Sequence, residues 1–322
     1  MRRIGLAVVL AIGLLGAPLA VAAQQGRVPV IGVIRNGSKT MNEVFASRFG
    51  QGMQALGWED GRNVRYIFMW AEGRDDRFPA LAADLVARPV DVIIVFGDPA
   101  IRAAQLATST IPIVGLADDM VGSAFAASMA RPGGNITGVS ILAGELDAKR
   151  LALLHELVPH ARRIGVLADP TTVRTVPQVE KVARDLGIDP VIRPVKNREE
   201  IGRALDAMIA ARVGAVNVLA SPVLDLLRGF IIDRVRQARL PAIYQWPETA
   251  GDGGLVSYGP RRLLAYQQMT RFVDKILKGA KPADLPIEQP TTFELVINLK
   301  TAQALDLTIP PSLLGRADQI IE

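Results

Sequence analysis

The side chains best suited by type to acid–base or metal chemistry are two adjacent carboxylates, Asp118 and Asp119, and the only histidines, His155 and His160. Neither pair has the spacing such chemistry needs. Adjacent side chains normally diverge, and no nucleophile or metal cluster accompanies Asp118 and Asp119. His155 and His160 lie five apart on a helical stretch, off the i, i+4 face that a metal pair prefers. The chain contains no G-x-x-x-x-G-K-[ST], no G-x-S-x-G, no H-E-x-x-H and no G-x-G-x-x-G after its first strand. It also has no cysteine, which excludes disulfides, thiolate metal sites, a cysteine nucleophile and lipid attachment through sulfur. These residues point away from an enzyme, and no cofactor or metal is expected.

A different set of polar residues recurs where apolar runs end. The first half carries Asn36-Gly37-Ser38, Gly97-Asp98-Pro99 and Asp118-Asp119. The second carries Asp169-Pro170-Thr171, Ser221-Pro222 and Gln245-Trp246. Taken singly, such Asp, Ser and Thr residues cap helices or form turns more often than they touch a ligand. As six loops at equivalent points they predict the walls of a binding cleft, with Asn36, Ser38, Gly97, Asp98, Pro99, Asp118, Asp119, Asp169, Thr171, Ser221, Gln245 and Trp246 as its contacts. The Trp246 indole would either stack on a flat ligand or plug the space between the halves. Tyr66 and Trp70 lie in a strand and are expected to pack on a sheet face.

The elements that must position these loops alternate short β-branched runs with helical stretches, the pattern of parallel βαβ units. Val30-Ile31-Gly32-Val33-Ile34 reads as the first strand, residues 41–56 as a helix closed by Gly57, and residues 90–96 as a buried strand followed by the N1 proline Pro99. The series then starts again. Ile164-Gly165-Val166 matches Ile31-Gly32-Val33, Gly187 matches Gly57, Ser221-Pro222 matches Asp98-Pro99, and Leu240-Pro241-Ala242-Ile243 matches Thr110-Ile111-Pro112-Ile113, each at an offset of roughly 130 residues. The fold class is therefore α/β, two Rossmann-like lobes with parallel sheets joined by a hinge. Residues 27–142 with 258–282 are assigned to the first lobe and 143–257 with 283–322 to the second. Ligands of open parallel sheets lie beyond the carboxyl ends of the strands, so two facing sheets would hold a small molecule between them and close as rigid bodies.

At the amino end, Met1-Arg2-Arg3 precedes an apolar run to Leu15 and small residues through Ala23. This has the form of a cleavable signal peptide over residues 1–23, the other reading being a membrane anchor. Export to the periplasm is expected. Net charge is +5, scattered as Arg among acidic residues without a basic block, so nucleic acid is not an expected partner. The 49% hydrophobic and 21% charged content is that of an ordinary globular chain.

The tail, Pro290-Thr291-Thr292-Phe293-Glu294-Leu295-Val296-Ile297-Asn298 and Leu307-Thr308-Ile309-Pro310-Pro311-Ser312, with residues 130–138, Ser257-Tyr258-Gly259-Pro260 and residues 276–286, resembles the substrate-binding component of ABC-type uptake transporters. Members of that family are type I periplasmic binding proteins, some associated with tryptophan or other aromatic amino acids. The resemblance implies a periplasmic receptor for an amino acid or related metabolite, with an inner-membrane permease and its ATPase as partners. A ligand-sensing module for a membrane signalling protein would need the same cleft. It also implies ligand loops reading Gly-Thr-Pro and Ser-Asp-Pro-Val, which stand here as Gly97-Asp98-Pro99 and Asp118-Asp119-Met120-Val121. The added carboxylates favour a cationic or neutral polar ligand, unless Asp98 turns onto its own helix.

Overall fold

The computed structural model describes residues 27–170 and 175–322; the expected leader over residues 1–23 and Thr171 lie outside the described residues. The first lobe is built on a five-stranded parallel sheet in the order β2-β1-β3-β4-β5. Its strands are β1 (Val30–Arg35), β2 (Arg65–Trp70), β3 (Val92–Phe96), β4 (Ile113–Ala117) and β5 (Ile136–Ser140). Helix α1 (Glu43–Ala55) covers one face, and α2 (Phe78–Val86) with α3 (Asp98–Ala107) covers the other. Alternation along the strands sorts the core: Val92, Ile94 and Phe96 face α1, whereas Ile93 and Val95 face α2 and α3.

The second lobe follows as α4 (Ala143–Leu157), β6 (Arg163–Ala168), α5 (Val176–Asp185), β7 (Asp189–Pro194), α6 (Arg198–Ala210) and β8 (Ala215–Val218). It continues through α7 (Pro222–Leu226), α8 (Arg228–Gln237), β9 (Ala242–Tyr244), α9 (Glu248–Gly251) and β10 (Val256–Gly259). Helix α10 (Arg262–Leu277) returns to the first lobe and packs Tyr266, Met269, Phe272 and Val273 into the α1 face. The chain ends in β11 (Glu294–Asn298), α11 (Leu299–Ala304), α12 (Pro311–Leu314) and β12 (Gln319–Ile321). The second sheet runs β12-β11-β10-β9-β8-β6-β7. It is mixed rather than all-parallel as expected, because β11 enters it antiparallel to β10.

The repeat has a packing reason at its clearest landmark. A Cβ on Gly32 of β1 would meet Leu85 of α2 at 2.6 Å, and one on Gly165 of β6 would meet Met208 of α6 at 2.6 Å. In each lobe the first strand carries a glycine so that the second helix can lie directly on it.

The backbone passes between the sheets from β5 into α4, from β10 into α10, and from residue 288 toward β11. Leu142, in the first passage, is held left-handed at φ 57°. The third passage corrects the expected boundary after Pro282. Ile287 donates its N–H to the Met129 carbonyl at 2.8 Å, Glu288 donates to Gly138 at 3.0 Å, and Ser140 donates to Glu288 at 2.9 Å. These bonds hold the segment on the edge of the first sheet, so the crossing falls after Glu288. Among the described residues no helix is long and apolar enough to cross a membrane.

Candidate functional site

The carboxyl ends of β1, β3 and β4 face those of β8 and β9, as the topology of open parallel sheets requires. Between them lies a cavity of about 510 Å³, within the usual range for small-molecule sites. Its first-lobe wall is formed by Arg35, Asn36, Asn42, Phe45, Phe96, Gly97, Leu116 and Asp118. The opposite wall is formed by Ser221, Pro222, Asp225, Gln245, Trp246 and Glu248, with Arg262 and Tyr266 at the start of α10. The lobes touch beside it. Gly97 sits at φ 83°, ψ 151°, and a Cβ there would come 2.5 Å from Pro222 Cγ. Trp246 is 7% exposed and belongs to the apolar cluster of the first lobe, so the indole packs across the cleft with its edge on the cavity.

Local capping explains which loop residues reach the cavity. Ser221 accepts the N–H groups of Val223 and Leu224 at the start of α7, and its hydroxyl donates to Asp169. Asp169 is thereby buried behind the wall and does not line it. Asp98 accepts the Asp118 N–H at 3.4 Å and the Ser123 hydroxyl at 2.5 Å, which turns its carboxylate into its own lobe; Pro99 occupies the first turn of α3. Asp119 accepts the Gly122 N–H at 2.9 Å as a turn cap. Ser38 accepts from the Asn42 amide through its carbonyl. Of the expected contacts, Asn36, Gly97, Asp118, Ser221, Gln245 and Trp246 line the cavity, whereas Ser38, Asp98, Pro99, Asp119 and Asp169 do not. Thr171 lies outside the described residues.

Residues absent from the sequence reading shape the site most. Arg35 ends β1 with its guanidinium 4.1 Å from the Phe45 ring centre and 4.2 Å from that of Phe96. Arg262 lies 5.2 Å from the Trp246 ring and pairs with Asp225 at 2.7 Å. Buried polar atoms normally have partners, yet Arg35 Nη1, Gln245 Nε2, Glu248 Oε2 and Arg262 Nε, all on cavity-lining residues, have none. At one rim Asn36 donates to Asp75 at 3.0 Å. Burial, then the negative charges of Asp169 and Asp76, push the Asp75 carboxyl up to about 6. No cluster of His, Cys, Asp or Glu among the described residues could hold a metal ion.

Two facing α/β lobes, a cavity walled by both and backbone passages between them define a binding protein that closes on a small solute. The chain matches the family model described as ABC transporter substrate binding protein over residues 20–321. It belongs to that family and is a solute-binding component of an ABC-type uptake system, with the periplasmic location the family implies and a binding rather than catalytic role. A tyrosine-binding protein of Clostridioides difficile (strain R20291) is 27% identical over 267 residues, 80% of this chain and 75% of that protein. The solved ABC domain from Streptococcus pneumonia in complex with L-Trp is 26% identical, with a TM-score of 0.83 over 92% of this chain and 100% of that one. A conserved domain protein from Vibrio cholerae, 24% identical, shares the fold with a TM-score of 0.84 over 91% of this chain and 100% of its own.

Proposed function

We propose that this protein, exported by cleavage of a signal peptide over residues 1–23, captures a small solute with a flat apolar body and hands it to an inner-membrane permease driven by a separate ATPase. The observation that carries this reading is the cavity of about 510 Å³ with walls from both lobes. Phe45, Phe96, Trp246 and Tyr266 supply rings on its walls, which suit an aromatic ligand. Similarity to a tyrosine-binding protein and to a domain solved with L-Trp points the same way. The expectation of a cationic ligand rested on Asp98 and Asp118; Asp98 is spent on the loop after β4, whereas Asp118 stays on the cavity wall.

A thermal-shift screen of aromatic amino acids, aromatic acids, amines, nucleosides and polyols tests the reading. A ligand at about a hundred times its Kd stabilises by roughly 2.7 kcal/mol, a shift well within detection. Stabilisation by at least one aromatic member is expected, together with a fall in the radius of gyration in solution scattering as the lobes close. A screen without a hit from any class would refute the reading. Loss of uptake of that compound on deleting the neighbouring permease gene would establish the delivery step.

A further inference from the structure

We propose that Arg35 is the anion receptor of the cleft and that the solute is an organic carboxylate held end-on by its guanidinium; this rests on the cleft being the ligand site. Arg35 Nε donates to Asn42 Oδ1 at 2.7 Å. Asn42 is itself fixed, its amide donating to the Asn36 and Ser38 carbonyls at 2.8 Å each. The Phe45 and Phe96 ring centres lie 4.1 and 4.2 Å from the guanidinium carbon and only 4.9 Å from each other, nearly perpendicular, so both rings line one side of the group. With Nε occupied and the rings gathered on one side, the Nη1–Nη2 edge is the part of the fork open to a ligand. Nη1 is buried without a partner, and no carboxylate among the described residues forms an ion pair with Arg35.

Arg35 is half-buried, and its Nη1 is shut off from water without a partner; such an unpaired polar atom costs free energy, and an anion arriving from outside would supply the missing partner. The planar fork matches two carboxylate oxygens in its own plane. Phosphate fits the same fork, and a dianion calls for further cations; three of the cavity arginines are engaged, while exposed Arg48 forms no ion pair among the described residues. Arg262 pairs with Asp225, Arg228 with Asp252 and Arg261 with Glu294. A buried, partly unpartnered fork beside aromatic walls therefore suits a single carboxylate on an apolar body, and phosphate is the competing anion that the test must exclude.

The test is calorimetric titration of the full mature chain with four compounds on one indole skeleton: L-tryptophan, indole-3-propionate, indole-3-propionamide and tryptamine, with inorganic phosphate and myo-inositol as further arms. At least one of the two carboxylates should bind, and the amide and amine should bind about tenfold or more weakly. Arg35→Met keeps an apolar stem against the two rings; it should stay folded with a small loss in unfolding midpoint, lose roughly tenfold or more in carboxylate affinity, and erase the preference over the amide. Arg35→Lys should recover only part, because it restores charge without the fork. Equal binding of the amide or tryptamine, unchanged affinity in Arg35→Met, or binding of phosphate or inositol alone would each overturn the assignment to Arg35 while leaving the cleft as the ligand site. Failure of every compound, with no hit in the wider screen, would count against the cleft reading itself.

Discussion

Gly97→Ala separates the cost of folding the first lobe from the cost of bringing the lobes together. With φ 83° and ψ 151°, Gly97 occupies a region open essentially to glycine, and alanine there costs about 1–3 kcal/mol whether the cleft is open or shut. Its Cβ would also stand 2.5 Å from Pro222 Cγ, well inside the about 3.5–4.0 Å at which carbons rest against each other. That second conflict exists only when the lobes meet. Overpacking of this kind costs about 1–3 kcal/mol, which is roughly a 5- to 150-fold loss of affinity. Urea unfolding of the free protein reads the first quantity, and titration with the tightest-binding indole carboxylate reads the second. Adding Pro222→Ala removes Cγ and leaves Cβ at 3.6 Å, an ordinary contact. The double variant should therefore bind close to wild type while remaining as unstable as Gly97→Ala. Wild-type affinity in Gly97→Ala, or no recovery in the double variant, would show that this meeting of loops is not the closed-state contact.

Four further outcomes follow from the same geometry. Arg150 is fully buried and pairs with the equally buried Asp147; burial pushes the Asp147 carboxyl up while Arg150, the Ala220 N–H and Thr175 hold it down. Arg150→Met leaves that carboxylate uncompensated and should cost about 3–5 kcal/mol in equilibrium unfolding. The Asp75 carboxyl, raised to about 6 chiefly by burial and next by Asp169 of the other lobe, prefers its proton in the folded, closed state. Its unfavourable contribution is absent near pH 4, grows as pH rises from about 4 to 6 and is complete at neutrality. Affinity should therefore be higher at about pH 5.5 than at about 7.5 for a ligand that does not itself titrate there, and Asp75→Asn should flatten the profile; a pH-independent wild type would remove Asp75 from closure. Asp119→Ala should leave affinity unchanged, since it loses only the Gly122 turn cap. Asp98→Ala, which frees both Ser123 and the Asp118 N–H, should lower the unfolding midpoint by the equivalent of about 1–2 kcal/mol.

The repeat was legible because strand interiors obey a simple rule. β-branched runs bounded by turn residues mark buried parallel strands, and glycines at 32 and 165 recur because Leu85 and Met208 lie on them in the same way. The direction of loop side chains was not legible. An Asp after a strand can satisfy nearby protein groups as readily as a ligand: Asp119 caps its own turn, and Asp98 bonds the loop after β4. Arg35 escaped notice because its meaning comes from Phe45, Phe96 and Tyr266, which reach it from α1, β3 and α10. The usable signal was a lone arginine closing an apolar strand and followed by Asn36-Gly37-Ser38, with no acidic neighbour to neutralise it. The antiparallel entry of β11 was equally hidden, since the turn-rich passage before it fixes no direction.

The buried pair of α4 explains how closure can be a motion of whole lobes. Helix α4 starts directly after the first passage between sheets, and Arg150 reaches from it to the Tyr258 carbonyl, at 3.0 Å, just before the second passage. Asp147, one turn earlier, accepts the Ala220 N–H at 2.9 Å, beside the Ser221-Pro222 loop that meets Gly97. Asn217 of β8 donates to the Asp147 carbonyl at 3.2 Å. Two backbone passages and one cleft wall are thus fixed to a single ion pair shielded from water, where its attraction is not screened. A rotation at Leu142 or Gly259 carries the Ser221-Pro222 loop with it as long as the pair keeps its bonds to the Tyr258 carbonyl and the Ala220 N–H. Weakening it should therefore blur the closed geometry before it empties the cleft, so that a more conservative change, Arg150→Lys, loses ligand affinity beyond its loss of stability.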